Sequence, residues 1–307
     1  MKTSGSSSRL ATGLGIFSLL FWSSTFACSR SLSVQVGPRT TAAIAQLIGG
    51  LLGILFLSIQ RARQQDDRRP LHFHPVYGLG CGALFVLYNV CLYSALGAAA
   101  GPQQVMGVTL INYLWPTTTL LFAIPILRVR ASIGLIPGMA LALGGVFLAL
   151  VQGQSLSAGA WIQSLAANAG PYMLALGAAV SWGFYNNFSR RYGPVSGTGA
   201  VPFFLLANSA VFGLSLILFP EHSLWTSRAC LELTYLALFP ILLAYHFWDL
   251  AMRRGNLVLV ASLSYLTPLL AVLFNGIYLH VSIGLMIWIA CGLVILGAWL
   301  CRRSVKE

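Results

Sequence analysis

"INYLWPTTTLLF", residues 111–122, sets an asparagine, a tyrosine, a tryptophan and a proline within five consecutive positions of an apolar run. The stretch looks like part of a membrane span, yet it carries a polar amide, two amphipathic rings and a helix breaker at its middle. Composition shows that the setting is oil. Of 307 residues, 57% are hydrophobic and 8% charged, and the mean hydropathy is +0.80. A soluble domain carries about 25% charged residues, so most of this chain does not meet water. The reading is an all-α membrane protein.

The net charge of +12 raises nucleic acid as a partner. The basic residues, however, sit in short clusters between apolar runs and are not gathered on one element, so no nucleic-acid partner is expected. The six cysteines (Cys28, Cys81, Cys91, Cys230, Cys291, Cys301) lack paired metal spacing and mostly lie inside apolar runs. They read as buried thiols. His72 and His74 share a basic loop, where solvated histidines are the ordinary case, and neither a metal nor a cofactor is expected.

A hydrocarbon core of ~30 Å needs about 20 apolar residues of helix. Ten runs qualify: 10–29, 38–60, 75–97, 103–127, 132–151, 171–189, 200–219, 229–251, 256–279 and 282–301. Lys2 and Arg9 ahead of the first run imitate a signal peptide, but no convincing small-residue cleavage site follows, and the run is read as a retained span. With the N-terminus in the cytoplasm, Lys2, Arg9, Arg61, Arg63, Arg68, Arg69, Arg128, Arg130, Arg190, Arg191, Arg253, Arg254, Arg302, Arg303 and Lys306 fall inside. Only Arg30, Arg39 and Arg228 of the 18 basic residues fall outside. Dropping one span would scramble this bias, so the positive-inside rule sets both count and orientation, with both termini cytoplasmic.

The chain also repeats itself. "WSSTFACSR", Trp22 to Arg30, matches "WGFYNNFSR", Trp182 to Arg190, in its Trp, Ser and Arg; "NYLWP", ending at Pro116, matches "SYLTP", ending at Pro268. Five spans per half is odd, so the second half enters the membrane from the opposite side. The expected fold is therefore ten transmembrane helices as two inverted five-helix repeats around a central cavity. Residues 1–151 form the first repeat, 152–170 an outer linker, and 171–307 the second, inverted repeat with a cytoplasmic tail.

Proline has no N–H, so the carbonyl four residues earlier loses its helical partner. Those carbonyls belong to Asn112 and Ser264, and unpaired backbone at this depth is tolerated only against protein or a water-filled cavity. Both broken helices are expected to face that cavity. Candidates to line it are Trp22, Tyr88, Asn89, Asn112, Tyr113, Trp115, Pro116, Trp182, Tyr185, Asn186, Tyr245, His246, Tyr265 and Pro268, with Tyr93 and Asn187 beside them. Ordinary packing accounts for any single aromatic, and Trp161, Trp225 and Trp299 read as an interfacial belt. The midplane group is different because Tyr hydroxyls, Trp N–H groups and Asn amides need partners in oil. Gly78/Gly82 and Gly134/Gly138 have the spacing of close helix contacts.

This arrangement resembles the drug/metabolite transporter superfamily in its ten-span EamA form, over roughly residues 10–302. The resemblance implies a basket-shaped bundle in the bacterial inner membrane, with spans one, three, four, six, eight and nine around the pocket and five and ten outside. "NYLWP" is similar to members that export aromatic and other neutral amino acids, which implies that cargo here. One departure stands out. Where the superfamily often ends its fourth and ninth spans in a small residue followed by Glu, this chain has "LRV" at Leu127–Val129 and "LHV" at Leu279–Val281.

An aromatic pocket suits such cargo physically. Burying about 150–200 Å² of ring contributes at most roughly 4–5 kcal/mol, which a small side chain does not supply. The zwitterionic head has Asn89, Asn112, Asn186, tyrosine hydroxyls, freed carbonyls and water as partners. Asp249 has Arg253 one turn away and reads as a structural salt bridge; His246 reads as a gating or hydrogen-bonding residue. Facilitated diffusion by alternating access follows. One chain suffices for this, and the sequence is silent on oligomeric state. The alternatives are an exporter of organic cations, drawn to ring faces, or of other metabolites, with proton coupling. An enzyme is not expected: the histidines are dispersed and no HExxH or GxSxG motif occurs.

Overall fold

The computed structural model describes residues 5–63, 73–98, 108, 111–150, 169–194, 199–279 and 284–306. The basic stretch 64–72 with His72, the connection 151–168 with Trp161, and His280 lie outside these. In chain order the helices are α1 (Gly5–Val36), α2 (Pro38–Arg63), α3 (Gly82–Ala98), α4 (Trp115–Leu127), α5 (Leu135–Leu150) and α6 (Ala169–Tyr192). There follow α7 (Val201–Leu218), α8 (Ser227–Leu236), α9 (Ala244–Arg254), α10 (Leu257–Leu263), α11 (Thr267–Leu279) and α12 (Leu285–Ser304). Two-residue strands, β1 (Arg130–Ala131) and β2 (Val305–Lys306), pair antiparallel and tie the end of α12 to the start of α5. Among the described residues, four helical stretches are long and apolar enough to cross a membrane: Pro38–Ala62, Val76–Ala98, Val201–Leu218 and Ser227–Arg254. Trp115–Leu127, Leu135–Gly145 and Leu257–Ala271 are shorter apolar helices.

Interruptions recur in pairs. A π-helical turn, Val76–Cys81, leads into α3, and another, Ala237–Leu243 around Pro240, joins α8 to α9. The wider turn accommodates Pro240, which cannot donate into an α-helical ladder. The chain before α4 turns at 113–114, and Pro116 sits in the first helical turn. A 3₁₀ turn, Ser264–Leu266, precedes α11, whose second residue is Pro268. Proline is tolerated there because the first-turn N–H groups have no intrahelical partner. Here one expectation is corrected: the Ser264 carbonyl is not left free, because the 3₁₀ turn brings the Thr267 N–H onto it.

The chain divides into two compact units, one of Met1–Val86 with Phe188–Asn256, the other of Leu87–Asn187 with Leu257–Glu307. Each unit draws on both halves of the sequence. In the first, α2 packs on α7 through Gly50 and Gly53, where a Cβ would meet Leu206 and Pro202 side chains at 2.7 and 2.9 Å. Between them Asn208 donates from its amide to Gln46, and Ser209 donates to the Ala43 carbonyl. Helix α1 outruns its apolar stretch because Ser31 and Gln35 donate to Glu232. It ends at Gly37, whose φ of +92° suits glycine alone. Glu221 then caps α2 by accepting from the Arg39 and Thr40 N–H groups at 3.2 and 2.9 Å.

In the second unit, α5 and α12 touch backbone to backbone. A Cβ on Gly138 would lie 2.9 Å from the Cys301 nitrogen, and one on Gly145 2.8 Å from the Ala290 carbonyl. Gly134 likewise faces the Ser304 hydroxyl, so Gly134/Gly138 mark a close contact. The Gly78/Gly82 pair is only half used among the described residues: a Cβ on Gly82 would abut Phe204, whereas one on Gly78 would meet only Phe73 within 4 Å.

Candidate substrate site

Eleven of the fourteen candidates lie in the second unit and three, Trp22, Tyr245 and His246, in the first. The second unit holds a ladder of rings. Trp182 and Tyr185, one turn apart on α6, stack at 4.7 Å and 18°, and Tyr88 on α3 lies 4.7 Å from Trp182 at 40°. Beside Tyr88 stands Asn112. Asn89, Asn112, Tyr113, Trp115 and Pro116 are all buried.

The three threonines that follow Pro116 hold this ladder. Thr117 shares a hydrogen bond of 2.7 Å with the Tyr265 hydroxyl, joining the two interrupted helices directly. Thr118 lies 2.8 Å from the Ala179 carbonyl of α6, against which Gly183 allows close approach. Thr119 donates to the Trp115 carbonyl at 2.8 Å and accepts from the Asn186 amide at 2.9 Å. Asn187 donates to the Thr119 and Gly183 carbonyls at 3.0 and 2.8 Å. Asn186 and Asn187 therefore serve to bind α6 to α4. Four buried polar atoms in this unit have no hydrogen-bond partner among the described residues: Asn112 Oδ1, Asn187 Oδ1, Ser262 Oγ and Thr267 Oγ1.

In the first unit Trp22 packs edge-on to Tyr245 at 5.3 Å and against Trp248 at 5.1 Å. Its indole N–H donates to the Pro240 carbonyl of the π turn at 3.0 Å. Phe85 completes the cluster, 4.8 Å from Tyr245. His246, one position on, faces elsewhere, with its ring 6.4 Å from Phe56 on α2; successive helical residues diverge by about 100°. Trp225 and Trp299 are each 47% exposed, as a belt requires, and Arg303 stacks over Trp299 at 4.0 Å.

The first unit also holds a polar knot only partly visible in the sequence. Asp249 accepts from Arg253 Nε at 2.7 Å and from the Tyr77 hydroxyl at 2.9 Å, with both charged side chains out of solvent. Tyr77 in turn accepts from the Ala200 N–H at 2.9 Å, and Arg253 donates to the Pro194 carbonyl at 2.6 Å. Gly199 is pressed against Asp249 and the Tyr77 hydroxyl and leaves no room for a side chain. The Asp249–Arg253 spacing signalled the ion pair; Tyr77 and Ala200, more than a hundred residues away from one another, carried no local sign.

A chain of apolar helices, broken at prolines and tied internally by buried polar side chains and one buried ion pair among the described residues, is an integral membrane protein of the transporter kind. It belongs to the EamA-like transporter family, whose pattern it matches twice, over residues 9–151 and 170–303. It is 28% identical to the aromatic amino acid exporter YddG of Salmonella typhimurium over 98% of this chain and 99% of that protein. The YddG proteins of Escherichia coli and Ancylobacter novellus are similar to it at 29% and 32% identity; they match over 97% and 94% of this chain and 98% and 95% of their own lengths. A solved crystal structure at 29% identity superposes with a TM-score of 0.76, covering 94% of this chain and 95% of that one.

Proposed function

We propose that the protein exports aromatic and other neutral amino acids across the bacterial inner membrane by alternating access, with both termini in the cytoplasm. The ten spans form two inverted five-helix repeats around the substrate cavity; the double family match and the paired proline breaks support this reading. Transport is facilitated diffusion. Among the described residues the buried acids are spent, Asp249 on Arg253 and Tyr77, and Glu232 on Ser31, Gln35 and Arg228.

The observation that carries the proposal is the Tyr88–Trp182–Tyr185 ladder next to the break at Asn112–Pro116. It offers ring faces and an uncharged amide in one place. A ring-bearing side chain gains apolar burial and stacking there, beyond what area alone gives. Among the described residues no cationic side chain stands in that cluster to meet an acidic substrate, so acidic amino acids are handled poorly. The test is uptake of labelled phenylalanine by proteoliposomes, with tryptophan, glutamate and a viologen as competitors. Tryptophan competes and glutamate does not. Strong competition by the viologen alone would move the cargo to organic cations. Unchanged phenylalanine uptake in both Trp115→Ala and Tyr113→Ala would remove the pocket from this part of the chain.

A further inference from the structure

Asn112 is 3% exposed and stands at the last helical residue before the turn at 113–114. Its Oδ1 is buried without a partner among the described residues. Buried polar atoms are nearly always paired, and an exception calls for an explanation. The other three orphaned atoms of this unit are explained more simply. Asn187 Oδ1 is likewise an unpaired acceptor, but its amide nitrogen fixes that side chain to two carbonyls inside the α4–α6 contact, away from the break at 113–114. Ser262 and Thr267 carry hydroxyls, which rotate and can donate or accept. An amide oxygen only accepts, so whatever completes Asn112 must bring a donor.

The ring of Tyr88, half-buried and 4.7 Å from that of Trp182, lies in the same cluster. Aromatic rings attract ammonium groups, and the ammonium of an amino acid is a donor of the kind this oxygen lacks. The described arginines of this unit all stand at helix or strand ends: Arg128 caps α4, Arg130 lies in β1, and Arg302 and Arg303 are in the last turn of α12. We infer that Asn112 Oδ1 accepts a hydrogen bond from the α-ammonium of the transported amino acid, with the Tyr88–Trp182 pair alongside it. This rests on reading the ladder as the substrate site.

The test separates the two ends of the substrate head. Phenethylamine keeps the ammonium and lacks the carboxylate; 3-phenylpropionate does the reverse. Both are used as inhibitors of phenylalanine uptake in proteoliposomes and as stabilisers of the purified full chain against heat in micelles. In Asn112→Leu, phenylalanine and phenethylamine weaken about tenfold or more, the range of a lost charged hydrogen bond, while 3-phenylpropionate is unchanged. In Asn112→Asp, which keeps an acceptor and adds a negative charge, phenethylamine tightens and 3-phenylpropionate weakens. Should the leucine variant not fold, the aspartate variant decides alone. Phenethylamine unaffected by both variants would overturn the inference. So would selective weakening of 3-phenylpropionate in Asn112→Leu, which would place the amide N–H on the carboxylate instead. A wild-type protein that moves no phenylalanine would instead remove the proposed function.

Discussion

Two ion pairs in the first unit share a helical spacing and almost a bond length, but not a solvent. Arg228 and Glu232 meet at 2.8 Å with 65% and 10% of their side chains exposed; Asp249 and Arg253 meet at 2.7 Å with 0% and 1% exposed. Surface pairs of this spacing contribute about 0.3–0.5 kcal/mol. Removing one partner of a buried pair instead strands a charge and costs about 3–5 kcal/mol. Arg253→Met leaves the Asp249 carboxylate with the Tyr77 hydroxyl alone and deprives the Pro194 carbonyl of its donor. The expected loss is therefore about 3–5 kcal/mol, against about 0.5 kcal/mol or less for Arg228→Gln.

The double variant Asp249→Leu/Arg253→Met is the informative one. Without either charge the site is apolar, and most of the single-variant loss returns. A residue of about 1–3 kcal/mol remains because the Tyr77 hydroxyl has lost its acceptor. The assay is reversible unfolding in mixed micelles, arranged as a double-mutant cycle. A coupling of about 2 kcal/mol or more is expected. A coupling below about 0.5 kcal/mol, or an Arg253→Met variant as stable as wild type, would refute the claim that burial decides the strength of this pair. Transport driven by an imposed pH gradient and abolished in Asp249→Asn would refute its structural role.

Other substitutions test the helix contacts. A Cβ on Gly297 would collide with the backbone of α5 at Ala142 and Gly138, while one on Gly144 would meet nothing within 4 Å among the described residues. Gly297→Ala is expected to cost about 1–3 kcal/mol, and Gly144→Ala to stabilise by about 0.5–1 kcal/mol, both read from the same unfolding assay. Thr119→Val removes the acceptor of the Asn186 amide and the hydroxyl on the Trp115 carbonyl. It should cost about 1–3 kcal/mol, whereas Thr119→Ser keeps both bonds and most of the stability.

The legible part of this protein was what hydropathy and local chemistry write directly. The apolar runs at 38–60, 75–97 and 200–219 became Pro38–Ala62, Val76–Ala98 and Val201–Leu218, shifted by a residue or two at most ends. The prolines of "NYLWP" and "SYLTP" marked two breaks with the same register, so that α4 and α11 each start one residue before proline and run for 13 residues. Proline dictates that a helix restarts; it does not dictate how the preceding turn closes. Ser264 was therefore misjudged: a 3₁₀ turn reuses its carbonyl, and that choice depends on packing. The two π turns escaped for the same reason, since only Pro240 hints at either.

The identity of each candidate's partner was hidden more deeply, because it depends on which helices meet. Thr117, Thr118 and Thr119 look interchangeable in sequence, yet at successive positions about 100° apart they reach Tyr265, Ala179 and Asn186 respectively. The consequence is functional. With Asn186 and Asn187 committed to α4, and Trp22 to Pro240, the polar side chains named from sequence divide into those that hold helices together and those left to meet a ligand. Asn112, whose Oδ1 has no partner among the described residues, is the proposed member of the second group. On that proposal the rings favour large neutral side chains, and the amide favours cargo that carries an ammonium.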